Sequence, residues 1–492
     1  MGIPHYFYVI SRTYPDIMSA PKHEIDNFFI DFNGMIHGAA HSIIDDFGDA
    51  EAPEEAISEA IIEKTWCDTQ SACEHIQPKK HIYICTDGVA PLAKINQQRK
   101  RRYLSCFSAK IKSIWDRNAI SPHTAFMHRL SQYITTRVAS LENVTFSDAQ
   151  EPGEGEHKIF DIVSKLPEDE SVCVHGLDAD LIMLSLCSHK SKITLMRDSS
   201  FVNIDALRVA IISELCNKYA WPSTNQKDMI ESYIVLCFLL GNDFLPHPIS
   251  LNLKKGGHER LLRAAGRAFE NCPNGMINSG QVSIEFLAEV LAQLQKDEDS
   301  IVLDLVQEYS HKRPNASSDP VEMYPLYNKD PLVDDILKNP GVWRQLYYKN
   351  IFKTRDTKVV KHACQQFLQG ILWTYAYYKR LDRDTMYVYP YGYAPSILDL
   401  ANNITTFVPS QSSSVVINPT VQLLCILPPQ SIDLLPEHTH KLVEDPRYGC
   451  AYMFPSTYKV QTFLKTYLWE CNPVLPFVDV SLLEATVAHP KA

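Results

Sequence analysis

Three short apolar runs in the first half of the chain each lead into an aspartate, and no other feature constrains the fold as strongly. Asn27-Phe28-Phe29-Ile30 leads into Asp31-Phe32-Asn33-Gly34, and His81-Ile82-Tyr83-Ile84-Cys85-Thr86 into Asp87-Gly88. Ser171-Val172-Cys173-Val174-His175 leads into Gly176-Leu177-Asp178-Ala179-Asp180. Longer helix-like stretches separate the runs, which predicts an α/β fold: a twisted, mostly parallel central sheet with helices on both faces. Ligands of such sheets bind beyond the carboxyl ends of the strands, so Asp31, Asp87, Asp178 and Asp180 are expected at one mouth. Extended residues two apart share a face, which lets Asp178 and Asp180 act together.

Two further segments add acids. Glu151-Pro152-Gly153-Glu154-Gly155-Glu156-His157-Lys158 spaces Glu154 and Glu156 with glycines just before a helix-like pattern. The apolar helix-like stretch from Asp228 to Leu240 stops at Gly241-Asn242-Asp243, which offers a further carboxylate, Asp243. A lone Asp-Gly after a strand is most often only a turn. Repetition after several ordered elements, together with a glycine-spaced acidic loop, points to a site. Two like charges ~4 Å apart cost about 4 kcal/mol at an effective dielectric of ~20, so cations must offset such a cluster. Hard oxygen ligands select Mg²⁺, Mn²⁺ or Ca²⁺, with Mg²⁺ expected and Mn²⁺ as its substitute, and two such ions ~3.5–4 Å apart suit displacement at phosphorus. Nuclease chemistry is therefore expected.

Between Asp87 and Asp116 the chain has no acid but carries Lys94, Arg99, Lys100, Arg101, Arg102, Lys110 and Lys112. On a helix, Lys94, Gln98, Arg101 and Arg102 fall largely on one face, where arginine forks and an amide suit a terminal phosphate. A solvated basic face is the plainer alternative for the stretch taken alone; its place just after Asp87 favours phosphate binding. His37 and the later tyrosines are candidates for stacking on bases. This basic stretch is local, because the whole chain of 492 residues carries a formal charge of −11, which excludes nucleic-acid binding by bulk charge.

The thirteen cysteines are scattered with no C-x-x-C pair, so reduced core thiols are expected and zinc is not. No apolar run approaches the ~20 residues of a membrane span, and the N-terminus lacks a signal-peptide layout, so no membrane association is expected. The setting expected is intracellular, cytoplasmic rather than nuclear. Composition divides the chain into a nuclease core over 1–255, a helical insert or linker over 256–342 with turn signals at Pro273-Asn274-Gly275 and Pro314-Asn315, and an aromatic-rich, mainly helical region over 343–492. The acid-rich stretch 42–76 reads as a solvated helix or loop and receives no function.

These residues resemble the Xrn/Rat-type 5′-to-3′ exoribonucleases. The resemblance runs in order through Met1-Gly2-Ile3-Pro4, Ile30-Asp31-Phe32-Asn33-Gly34-Met35-Ile36-His37, Thr86-Asp87-Gly88-Val89-Ala90-Pro91 and Lys94-Ile95-Asn96-Gln97-Gln98-Arg99. It continues through Pro152-Gly153-Glu154-Gly155-Glu156-His157-Lys158, Gly176-Leu177-Asp178-Ala179-Asp180-Leu181 and Gly241-Asn242-Asp243-Phe244-Leu245-Pro246-His247. In the second half it is carried by Trp343-Arg344, Gly370-Ile371-Leu372-Trp373, Tyr389-Pro390 and Leu475-Pro476-Phe477-Val478-Asp479.

The resemblance implies a PIN-like 5′-nuclease core completed by the second region, with Asp31, Asp87, Glu154, Glu156, Asp178, Asp180 and Asp243 as catalytic metal ligands. It implies that Lys94, Gln98, Arg101 and Arg102 bind a 5′ monophosphate, that His37 stacks on the leading nucleotides, and that Pro91 lies where duplex is excluded. Tyr387 stands where the family has a stacking tryptophan, and Gly392 where it has a histidine. The zinc knuckle and long extensions of some members have no counterpart, so the chain reads as a minimal catalytic core. The implied activity is processive 5′-to-3′ hydrolysis of single-stranded RNA to nucleoside 5′-monophosphates in RNA decay, by a monomer that meets decapping or termination factors. A flap-type structure-specific nuclease and an inactive RNA-binding scaffold are the alternatives; the region after Trp343 argues against the first and the seven acids against the second.

Overall fold

The computed structural model describes residues 2–3, 5–48, 52–108, 114–223, 225–381, 383–410 and 413–488. Met1 and Pro4 of the opening motif, and Lys110 and Lys112 of the basic stretch, lie outside the described residues. Packing divides the chain into two compact units, each assembled from separated segments. One comprises Tyr14–Leu207, Val415–Thr457 and Leu475–Ala492; the other comprises Met1–Thr13, Arg208–Ser414 and Tyr458–Val474.

The first unit is built on a six-stranded sheet. Its strands are β1 (Asn27–Asp31), β2 (His81–Cys85), β3 (Val144–Ser147), β4 (Val172–His175), β5 (Ile193–Arg197) and β6 (Ser200–Asn203), in the order β3-β2-β1-β4-β5-β6. All neighbours are parallel except β5 and β6. Parallel strands are covered on both faces, and Phe28, Phe29 and Ile30 of β1 and Cys173 and Val174 of β4 are accordingly fully buried. The chain winds outward from β1 through β2 to β3, then returns to β4 on the other side of β1. The switch point therefore falls between β1 and β4, where a ligand crevice is expected. Register places Ile30 opposite His175 and Asp31 opposite Cys85, so the acids after the strands start at one level.

Helices fill the crossovers. Glu54–Ile76, the acid-rich segment, buries Ile57, Ile61, Thr65, Thr69 and Ala72 at helical spacing and turns its charges outward, as an amphipathic helix does. Leu92–Ser108 follows β2 and carries the basic residues. Gly155–Val163 and Asp180–Ser188 flank β4 in sequence and start at the same end of the sheet as the acids.

The second unit is mainly helical, with two small two-stranded pairings. Its buried polar groups are satisfied in specific ways. Glu298, 1% exposed, accepts hydrogen bonds from the backbone N–H groups of Ile397 at 2.6 Å and Leu398 at 3.1 Å, and pairs with Arg344 at 3.1 Å. A carboxylate thus satisfies the orphan donors that open helix Ile397–Ile404. Tyr6 from the N-terminal helix shares a hydrogen bond of 2.9 Å with Tyr233, whose hydroxyl meets His258 Nε2 at 3.0 Å.

Candidate active site

Asp31 ends β1 and precedes helix Phe32–Phe47 without spending its carboxylate on a cap. Two glycines let neighbouring loops approach it. A methyl group on Gly155 would lie 2.8 Å from the Cys85 carbonyl oxygen, 3.2 Å from Asp31 Oδ1 and 3.5 Å from Asp87 Oδ1. One on Gly176 would lie 2.3 Å from Leu181 Cδ1 and 3.5 Å from Asp31 Oδ2. Backbone bars a side chain at Gly155, and at Gly176 the Leu181 side chain would have to shift, so the loops after β1, β2, β3 and β4 close on one carboxylate.

Asp87 is held on both oxygens. The backbone N–H of Gly155 donates to Oδ1 at 2.7 Å, and Asn33 Nδ2 donates to Oδ2 at 3.0 Å. Asn33 also accepts the Asp87 backbone N–H through its side-chain oxygen at 3.1 Å. The acidic loop is pinned to the Asp87 loop by reciprocal backbone bonds, Gly88 N to Gly153 O and Gly153 N to Val89 O, each 2.8 Å. Lys158 ties its far side, donating to the carbonyls of Thr86 at 2.8 Å and Asp148 at 2.7 Å.

Glu154 and Glu156 are buried with His157, and these three side chains each offer a ligand atom within 4.8 Å of the others. Asp180, also buried, opens helix Asp180–Ser188. Asp178 stands just before it, with its carbonyl accepting from Arg197 Nη1 at 3.0 Å. Electrostatics tie the six together. Burial, then the charges of Asp87 and Asp178, push the Asp31 carboxyl well above its ordinary range. Burial also pushes Glu156 up; Lys94 opposes this, and Asp180, Glu154 and Asp178 add to it. Asp31, Asp87, Glu154, Glu156, Asp178 and Asp180 therefore form one cluster.

Lys94 lies inside that cluster. Its Nζ is 2.5 Å from Glu154 Oε2 and 4.0 Å from Glu156 Oε1, with all three side chains almost wholly buried. The other basic-face residues lie further along the same helix. Arg102 donates to Ser121 Oγ at 2.7 Å, Arg101 is exposed, and Gln98 Oε1 is buried with no hydrogen-bond partner among the described residues. Desolvation, then the charges of Arg101, Arg102 and Arg117, hold the His37 imidazole down to about 4, although the residue as a whole is exposed. It is neutral near pH 7. Pro91 is buried at the head of the basic helix, where its carbonyl accepts from Lys94 at 3.0 Å and Ile95 at 3.1 Å.

Two candidates belong to the helical unit. Asp243 sits in a turn built by Asn242, whose side-chain oxygen accepts from the N–H groups of Phe244 and Leu245, both at 2.9 Å. Gly241, with φ of +88°, allows that turn to form. Tyr387 is 6% exposed; its hydroxyl donates to the Gln366 carbonyl at 2.8 Å and its ring lies 5.4 Å from that of Trp373. Burial raises its phenol far above the ordinary value.

Three residues were not singled out from sequence. Asn33 and Lys158 fix the loops, and Arg117 adds to the larger effects of Arg101 and Arg102 at His37. The sequence signal for Asn33 is its place in the motif Ile30-Asp31-Phe32-Asn33-Gly34. Arg99, noted only as part of the basic stretch, is buried and donates to the carbonyls of Met453 and, at 2.7 Å, Pro476, which makes it a clamp within the sheet unit.

Residues 1–199 match the family model described as the XRN 5′-3′ exonuclease N-terminus, and residues 223–324 and 326–491 match the Xrn1 helical domain. Among curated proteins, the chain is 24% identical to a 5′-3′ exoribonuclease 2 of Debaryomyces hansenii over 99% of its own length and 69% of that relative. It is likewise 24% identical to the chicken 5′-3′ exoribonuclease 2, over 99% and 70%. Against the human 5′-3′ exoribonuclease 1 it is 28% identical over 99% of this chain, but that alignment spans only 34% of the relative.

Proposed function

The chain belongs to the XRN 5′-3′ exonuclease family, and from that premise we propose that it removes nucleotides one at a time from the 5′ end of single-stranded RNA bearing a 5′ monophosphate, releasing nucleoside 5′-monophosphates. The observation that carries the proposal is the six-carboxylate cluster at the switch point of the sheet, adjoined by the basic face of helix Leu92–Ser108.

The donor set fits hard divalent cations. Its ligands are carboxylate oxygens with one imidazole nearby, buried together against their own repulsion. Mg²⁺, or Mn²⁺ in its place, would be held by Asp31, Asp87, Glu154, Glu156, Asp178 and Asp180; two ions suit this number of acids. Such cations supply charge neutralisation and an activated water for in-line displacement at phosphorus.

The remaining roles fall to the chain itself. Gln98, Arg101 and Arg102 bind the terminal phosphate through an amide and two guanidinium forks, which sets the direction of travel. Lys94 links the two parts of the site, balancing Glu154 while extending the cationic face. A neutral His37 stacks on a base without charge–charge bias, so the strand advances regardless of sequence. Pro91 at the head of the basic helix narrows the entry to a single strand. Tyr387 supports the aromatic wall around Trp373 in the helical unit.

RNAs of one sequence with 5′ monophosphate, 5′ hydroxyl and 5′ triphosphate test the reading. Mononucleotide release is expected at least about tenfold faster from the monophosphate, the effect of one or two charge-assisted hydrogen bonds. Equal rates on all three would remove the phosphate pocket from the account.

A further inference from the structure

Tyr467, Trp469 and Lys254, all in the helical unit, take no part in the roles assigned above. Leu468 between the two aromatics is buried and its N–H bonds to the Glu322 carbonyl at 2.8 Å. That anchor leaves Trp469 exposed, while Tyr467 is half-buried against the core of the unit. The Glu470 carboxylate completes the turn, accepting from the N–H groups of Thr466 at 2.9 Å and Tyr467 at 3.3 Å, and from Lys254 Nζ at 3.1 Å.

The result is an ordered aromatic pair at the surface. The Tyr467 and Trp469 rings are parallel within 9° at a centroid distance of 5.9 Å, and Trp469 is 52% exposed. Lys254 Nζ lies 5.5 Å from the Tyr467 ring centre and 5.8 Å from that of Trp469, while the His5 ring stands 6.1 Å from the indole. Lys254, Lys255 and Lys312 gather here, Lys254 paired with Glu470 and Lys255 with Glu308, while Lys465 lies over the buried Tyr393 ring. Lys312 reaches Thr466 Oγ1 at 2.9 Å. Burial first, and then the like charges of Lys254 and Lys255 against the opposing Glu470 and Glu308, hold the Lys312 ammonium below its ordinary value.

An exposed indole backed by a parallel second ring and flanked by cations is what single-stranded nucleic acid binds: every base offers a flat face, and the lysines meet phosphates. A peptide ligand would call for an apolar groove, whereas the neighbours of this ring pair are cations. We infer that Tyr467 and Trp469, with Lys254 and its neighbouring lysines, form a base-stacking platform for single-stranded RNA that needs no free 5′ end. The inference rests on RNA being the substrate, as proposed above.

Circular single-stranded RNA separates this platform from any 5′-end pocket. A fluorescent circular oligoadenylate is titrated with the full chain in chelator, and binding is read by anisotropy. Wild-type protein is expected to bind it, Trp469→Ala to bind about tenfold more weakly, the loss of one base stack, and Trp469→Phe to retain most of the affinity. Lys254→Glu is expected to weaken binding and to flatten its dependence on salt. Failure of wild-type protein to bind the circle, or equal binding by Trp469→Ala, overturns the platform; the latter is also the outcome if the surface serves a protein segment instead. If the circle binds in a Trp469-dependent way while linear 5′-monophosphate RNA is not degraded, the platform stands and the exoribonuclease reading falls.

Discussion

At the scale of single residues, the site depends on how its buried charges are held. Asp87 has both oxygens engaged, by Gly155 N–H and by Asn33, so its direction is fixed before any cation arrives. Replacing Asn33 with Ala removes one of those holds without touching a carboxylate. The expected outcome is a drop of about 10- to 100-fold in apparent Mg²⁺ affinity, the usual cost of losing a group that orients a ligand, measured from the Mg²⁺ dependence of RNA decay. Lys94 plays the opposite part. Its ammonium compensates Glu154 and Glu156 in a space almost closed to water, and removing one partner of such a group costs about 3–5 kcal/mol. Lys94→Met is therefore expected to lower the melting temperature of the chelated protein, and added Mg²⁺ to raise it by more in the variant than in wild type. An equal Mg²⁺ response in both would separate Lys94 from the acids.

At the scale of elements, tight approaches and one buried hydrogen-bond chain set further outcomes. The start of helix Gly155–Val163 touches the end of β2 and Asp31 at once, so Gly155→Ala forces a methyl against backbone at 2.8 Å. A destabilisation of about 1–3 kcal/mol with loss of activity is expected, read by denaturant unfolding and by decay assays. In the helical unit, the link Tyr6–Tyr233–His258 joins the N-terminal helix Tyr6–Thr13 to helices Gln226–Cys237 and Gly257–Ala268. Burial holds the His258 imidazole down to about 4, and burial likewise lowers His247 to about 4. A histidine depressed on folding lends stability that is complete above its unfolded value of about 6.5 and is lost as the pH falls toward about 4. For His258 that amounts to on the order of 2–3 kcal/mol, so stability should fall over this interval and His258→Gln should fall less steeply, the other depressed histidines, His247 and His37 among them, keeping the remainder. An unchanged slope in the variant would contradict the assignment.

At the scale of the whole molecule, the sequence made the sheet and the six acids legible because each acid is punctuated locally, by a strand that ends at Asp31 or shortly before Asp87 and the Asp178/Asp180 pair, and by glycines around Glu154 and Glu156. No local pattern announces the position of Lys94: it depends on how helix Leu92–Ser108 is rotated against the acidic loop, and the basic face alone suggested phosphate binding. Nor does composition reveal that 415–457 and 475–488 pack with the sheet unit. Bonds such as Ala90 N–H to Gln422 Oε1 at 2.9 Å and Arg99 to the Pro476 carbonyl at 2.7 Å make that connection across more than three hundred residues. The acids bear most directly on the activity, and one assay reaches them. RNA with a 5′ monophosphate and a labelled 3′ end is incubated with wild-type protein and with Asp178→Asn, each in Mg²⁺ and in chelator. Wild-type protein in Mg²⁺ should consume the strand to mononucleotides from its 5′ end, and the other three reactions should leave it whole; equal decay in chelator, or by the variant, would contradict the account.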